Sequence, residues 1–301
     1  MKIEAFHDKR TDTLTYVVYD PQSRDAIVID PVHDYEPVGS KVFTESVDRV
    51  VAWLKKHELK LRAILETHAH ADHLSGSQLL KETWPEATLA IGARITEVQR
   101  LFRDYFDLGD DFPVDGSQFD KLFADGETWA AGTIEVEVIY TPGHTPACAT
   151  YRIGDAIFTG DALFMPDQGT GRCDFPGGSA QALYKSIARL YAMPDDTRVF
   201  VGHDYQPGGR ALAYESTIGE EKAHNVQLNA AMTERQFVEA RERRDATLAA
   251  PKLLYQSVQV NIDAGALPPQ ARNERRYLKI PVNVFRPTPT NDLDLGPVDR
   301  Q

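Results

Sequence analysis

Residues 66–73 read ETHAHADH, which places His68, His70, Asp72 and His73 within six positions. Three imidazoles this close would repel one another if charged, and each would need a partner if buried. A metal ion meets both needs, because neutral imidazole and ionised carboxylate are its ordinary protein ligands. In an extended loop His68 and His70 point to the same side. Asp72 and His73 turn back as the next helix begins, a geometry that suits two adjacent metal positions. The plainer alternative is a solvated polar loop. Later in the chain stand His144 in TPGHT, Asp161 in TGDA and His203 in VGHDY.

These residues need elements to present them. LRAIL at 61–65 is short, apolar and β-branched enough for a buried strand that ends at the first group. A half-exposed strand over 134–140 runs into TPGHT. The hairpin 149–153 and 156–159, turning at Gly154-Asp155, ends in Gly160-Asp161, and a strand over 197–201 ends in Gly202-His203-Asp204-Tyr205. Strands thus repeatedly finish in a small residue followed by a metal-ligand type. Upstream, runs at 2–7, 14–19 and 25–29 predict an antiparallel meander. Asp30, which closes the third, either orients a metal ligand from behind or simply ends a strand.

Helical spacing marks 45–57, 74–83, 95–106 and 180–191; 88–91 is a strand and 112–125 a loop over the sheet. From Glu215 the pattern is helical, over 215–228, 234–250 and 251–262. The charges of the second segment fit a solvated face with intrahelical pairs. The last twenty residues, rich in proline, suggest an extended tail. No repeat or low-complexity linker interrupts the chain. The expectation is an α/β fold forming one domain over 1–301, with a core over about 1–206 and a helical extension and tail over 207–301.

Composition excludes several classes. The chain has 301 residues, with 33 Lys and Arg against 45 Asp and Glu and a net charge of −12, so it carries no basic nucleic-acid footprint. Two cysteines, Cys148 and Cys173, are too few for a disulfide framework. The first residues, MKIEAFHDKRTDTL, are charged where a signal peptide is apolar, and no window is long and apolar enough to span a bilayer. A cytoplasmic protein without nucleic-acid or membrane partners is expected, and a homodimer is allowed.

The series HxHxDH, PGHT, GD and GHDY resembles that of the metallo-β-lactamase superfamily over roughly residues 1–230. That resemblance implies an αββα sandwich with the metal site at one edge and a helical C-terminal extension. Some relatives are excluded. Flavodiiron proteins would have Glu in place of His70, common class B β-lactamases have a Cys ligand and no GHDY, and RNA-processing members carry a large inserted domain. THAHADHLSGS, GTGRCDFPGG at 169–178 and GHDYQPGGRALAYESTIGEEKAHN at 202–225 look like the persulfide dioxygenase branch, close to glyoxalase II.

The resemblance to that branch implies one Fe(II) per chain held by His68, His144 and Asp161, with His70, Asp72, His73 and His203 in support. Glutathione persulfide and O2 would be the substrates, and sulfite and glutathione the products. Arg172 would grip a glutathione carboxylate and Tyr205 would help position the tripeptide; their plainer roles are a salt bridge to Asp174 and a ring packed under the loop. Cys173 is expected to be structural or incidental rather than a persulfide carrier, and Cys148 buried. Two histidines and a carboxylate on one face of iron leave three positions open. The alternative is a glyoxalase II-like thioesterase, in which two zinc ions share Asp161 and generate a hydroxide to hydrolyse S-acylglutathione. A metal-binding scaffold without turnover is a third class, disfavoured because a scaffold has no need of an open coordination site.

Overall fold

The structure is a computed structural model that describes residues 1–282 and 284. Its first half comprises strands β1 (Lys2–Asp8), β2 (Thr13–Tyr19), β3 (Asp25–Ile29), β4 (Val32–Glu36) and β5 (Lys41–Phe43), then helix α1 (Glu45–Lys56). Strands β6 (Lys60–Leu65) and β7 (Leu74–Ser75) precede α2 (Ser77–Thr83), β8 (Thr88–Gly92), α3 (Ile95–Tyr105) and β9 (Lys121–Phe123). The second half begins with β10 (Thr128–Ala131), β11 (Ile134–Tyr140), β12 (Ala149–Ile153) and β13 (Ala156–Phe158). It continues through α4 (Ala180–Tyr191), β14 (Arg198–Phe200), β15 (Glu215–Thr217), α5 (Ile218–His224), α6 (Glu234–Asp245) and α7 (Leu254–Asn261).

Two six-stranded sheets, β1-β2-β3-β6-β8-β9 and β10-β11-β12-β13-β14-β15, hold the core, and β5-β4-β7 form a small third sheet. The opening meander is antiparallel as expected, and β3, β6, β8 and β9 pair in parallel. The inner strands β2, β3 and β8 of the first sheet are buried on both faces. Ile27, Ile29, Ala63 and Leu65 face a cluster shared with Val138, Tyr151 and Phe158 of the second sheet and Leu183 and Ile187 of α4. Their neighbours Ala26, Val28 and Ile64 face the opposite side, against Val47 and Leu54 of α1, Val98 and Phe102 of α3, and Leu254 and Val258 of α7. Alternate residues of one strand therefore feed two cores, and the layers follow from that period of two. Among the described residues no helix is long and apolar enough to cross a membrane.

Several elements differ from the sequence expectation. The helix expected from Leu74 starts at Ser77, because Leu74 and Ser75 pair with His33 and Val32 as strand. The loop over 112–125 contains β9, drawn into the edge of the first sheet by pairing with β8. Residues 215–217 pair with β14 before α5 begins at a Thr217 cap whose side chain accepts the Glu220 amide. Strands β4, β5 and β10 escaped the sequence reading. On α6, Arg235 and Glu239 form the expected intrahelical pair, but Arg241 is buried rather than solvated. The proline-rich end falls outside the described residues apart from 282 and 284.

Candidate metal centre

The residues from Glu66 to Ser75 leave β6 and reach the small third sheet, and the loop between them is buried against its neighbours. Asp30, at the end of β3, has φ of +50°, a conformation rare outside glycine. Its carboxylate accepts the Thr67 amide at 2.7 Å and the Thr67 hydroxyl at 2.8 Å. The hydroxyl proton is therefore committed, and the oxygen is left to accept Nδ1–H of His68 at 3.0 Å. Nδ1 of His144 lies 2.7 Å from the Arg172 carbonyl, and Nδ1 of His73 lies 3.0 Å from the Leu74 carbonyl. Carbonyls only accept, so in all three histidines Nε2 keeps its lone pair. Tautomer fixing of this kind is what metal-binding histidines need. His70 is turned the other way, with Nε2 3.1 Å from Asp30 and 3.5 Å from Glu66.

The inward-facing atoms lack partners. Nε2 of His68 and His73, both ring nitrogens of His70 and His203, and Oδ1 of Asp161 are buried without a hydrogen-bond partner. Buried polar atoms are rarely left so, and a cation among them would give Nε2 of His68 and Oδ1 of Asp161 the partner they lack. Three groups have ligand atoms within 4.8 Å of one another: His68, His144 and Asp161; His70, Asp72 and His73; and Asp30, Glu66 and His70. The residues present therefore fit a metal centre. The rings of His68 and His70 are 4.0 Å apart and those of His70 and His73 4.2 Å, so the first two groups are adjacent. His203, fully buried, bridges 3.3 Å to Asp161 and 3.4 Å to Asp72.

Protonation follows the same division. Burial lowers His68 well below the usual histidine range and also lowers His144 and His73, which favours neutral imidazoles. Burial alone would raise Asp161, but His203, 3.3 Å away, outweighs it and holds the carboxyl well below the usual range. Burial likewise works against a charge on His203 and His70. Asp161 and Asp72 nevertheless lift His203 to about 9, and Asp30 with Glu66 lifts His70 well above its ordinary value.

Glycines in the motifs are steric requirements. At Gly160, with φ of +49°, a Cβ would run into the Thr67 hydroxyl. At Gly171 it would run into the Asp161 carbonyl, so the 169–178 loop could not lie against the site. This loop orients His144 through the Arg172 carbonyl, and α6 in turn buttresses it. Asp245 accepts the Cys173 amide at 2.8 Å and Arg241 at 2.9 Å, while Arg241 also reaches Gln227 at 2.7 Å.

A cavity of about 1060 Å³ opens beside the centre, and His144, Asp161 and Asp72 line it together with Phe164 and Phe175. Arg172 also lines it, but its guanidinium is engaged by Asp174 at 2.6 and 2.7 Å and by the Ala249 carbonyl at 2.7 Å. The salt bridge is thus the contact Arg172 makes. Tyr205 is 52% exposed and stacks on His203 at 5.5 Å rather than packing under the loop. Arg244 and Lys252, unremarked in the sequence, stand exposed on the cavity rim, and neither has an ion-pair partner among the described residues. Both cysteines are buried; burial pushes the Cys148 thiol up to about 12 and Cys173 up further, so neither is a thiolate at neutral pH.

Known proteins resemble this chain along most of its length. The chain is 48% identical over 283 residues to the "Beta-lactamase hydrolase-like protein" of Agrobacterium fabrum, spanning 94% of this chain but only 65% of that protein. It is 44% identical to "Glyoxylase B2" of Dictyostelium discoideum, covering 95% of this chain and 98% of the relative. It is 31% identical to "Persulfide dioxygenase ETHE1, mitochondrial" of Homo sapiens, covering 86% and 87%. The solved structure of ETHE1 from Myxococcus xanthus superposes with a TM-score of 0.71 at 31% identity, over 88% of this chain and 100% of that one. The family model described as the metallo-beta-lactamase superfamily matches residues 9–203, the stretch that carries the inward-facing histidines and Asp161, and the chain belongs to that superfamily.

Proposed function

We propose that the chain is an iron(II)-dependent persulfide dioxygenase that turns glutathione persulfide, dioxygen and water into glutathione, sulfite and two protons. The reading rests on the grouping of His68, His144 and Asp161, because two of the three also line the large cavity. Two histidines and one carboxylate with open positions are the ligand set of non-haem iron(II) oxygenases. When bound, iron(II) supplies the one-electron chemistry with dioxygen that no side chain offers. The chain's own residues orient the ligands and the substrate. Thr67 and the Arg172 carbonyl fix the His68 and His144 tautomers, and His203 keeps Asp161 ionised. Phe164 and Phe175 give the cavity an apolar wall beside the centre. Arg244 and Lys252, with no ion-pair partner among the described residues, line the cavity and would receive the carboxylates of a tripeptide thiol.

A second reading has its own support. His70, Asp72 and His73 form an adjacent group, which a dinuclear thioesterase holding zinc and acting on S-acylglutathione would use, and the 44% relative is named a glyoxylase. Oxygen separates the two. Glutathione persulfide and S-lactoylglutathione are offered separately while an electrode follows oxygen and absorbance follows the thioester. Oxygen uptake equal to sulfite formed, abolished by an iron chelator, is expected with the persulfide. Rapid thioester hydrolysis under argon, with no oxygen uptake on persulfide, would falsify the dioxygenase reading.

A further inference from the structure

Helix α7 sends one polar side chain into the loop that carries the HxHxDH residues. Asn261 is 4% exposed. Its Nδ2 donates to the carbonyls of His70 and His73, each at 2.8 Å, and its Oδ1 accepts the Ser75 amide at 2.8 Å. A side-chain amide offers two donor hydrogens and one acceptor oxygen, and all are in use here on three backbone groups within six residues. Irregular backbone has no ladder to satisfy it, and a buried carbonyl or amide left unpaired is costly. Asn261 thus does for this loop what a neighbouring strand does for a strand.

Docking of the helix does not account for that side chain. Leu254 and Val258 already bury α7 against the first sheet, and Gln78 donates to the Ala264 carbonyl at 2.9 Å, tying the same segment to α2. What Asn261 adds is directed at the peptide groups of His70 and His73, the two residues whose rings lie 4.2 Å apart in the centre. We propose that Asn261 is a positioning residue for the metal centre: it holds the 70–75 backbone in the metal-ready conformation before any ion arrives. The C-terminal helix is then part of the metal site although it supplies no ligand. The inference concerns metal capture and not turnover, and it rests on metal held by the His70, Asp72 and His73 group.

The test compares N261A and the isosteric N261D with Q78A. Zinc affinity is measured by competition with a chromogenic chelator, the cobalt(II) visible spectrum reports ligand geometry, and thermal unfolding of the metal-free protein reports stability. Both Asn261 variants should bind zinc about ten- to a hundredfold more weakly and shift the cobalt bands, the range typical for losing an outer-shell partner. Q78A should lose thermal stability while keeping wild-type affinity and spectrum. Asn261 variants with wild-type affinity, or a Q78A loss as large as theirs, would overturn the assignment. One measurement needs no variant: in metal-free wild-type protein the Ser75 amide should exchange slowly with deuterium. Exchange there at the rate of an open loop overturns the proposal equally.

Discussion

At the scale of single residues, the centre is organised by oxygens behind the histidines. Thr67 Oγ1, the Arg172 carbonyl and the Leu74 carbonyl each take an Nδ1 proton and leave Nε2 facing inward. Substituting His144 or Asp161 with Ala should therefore strip the metal to below a tenth of an equivalent, on the order of the loss of a whole ligand. Substituting His73 or His203 should leave most of it in place under the mononuclear reading. Metal analysis of each purified variant checks this, and two tightly held zinc ions in active enzyme would contradict it. Substrate binding gives a second contrast. R244A and K252A should each raise KM about tenfold with metal content unchanged, the size of one exposed charge-assisted contact. R172A should instead lower thermal stability, by roughly 1–3 kcal/mol, because it removes the guanidinium that Asp174 and the Ala249 carbonyl accept from. A KM rise confined to R172A would return that residue to the substrate.

Elements show how far the sequence could be read. The strand over 61–65 and the helix over 45–57 were legible because a buried period of two or 3.6 shows in apolar spacing. The metal residues were legible because histidines cluster at strand ends. Leu74–Ser75 was not, because two residues have no period and their strand state comes from pairing with Val32 and His33. Nor was Asn261, whose role depends on a contact across 188 residues from His73. Glu221 of α5 was equally hidden, as it read as one acid of a charged helix. It is buried, accepts Ser216 Oγ at 2.5 Å and Asn225 Nδ2 at 2.9 Å, and burial lifts its carboxyl from 4.5 to about 7 despite both contacts. A raised folded value means that the fold holds this proton more tightly than the unfolded chain does. Its stabilising effect is full below pH 4.5 and is lost as pH rises through about 7. E221Q, neutral throughout and able to accept from Asn225 and donate to Ser216, should match the wild type at pH 4.5. At pH 8 it should exceed it by up to about 3 kcal/mol. Urea unfolding at the two values measures this, and an equal change at both would show that Glu221 is not the titrating group.

Across the whole molecule, the centre is assembled from strand ends that lie far apart in sequence. His68 to His73 follow β6, His144 follows β11, Asp161 follows β13, His203 follows β14, and α7 closes over the first loop from behind. Residues 248–253, just before α7, line the cavity, so one C-terminal segment walls the substrate space and braces the metal loop together. That arrangement has a consequence for synthesis. At 5–20 residues per second a ribosome needs about 10–40 s to travel the 188 residues from His73 to Asn261. Throughout that interval the first loop lacks Asn261, although His144, Asp161 and His203 are made before it. Chains stalled short of residue 261 but extended by a linker should hold no chelator-resistant zinc, whereas released full-length chains should hold it. Tight zinc on the stalled chains would show that the first loop captures metal unaided. Tight metal binding should thus begin only once residue 261 has joined the site.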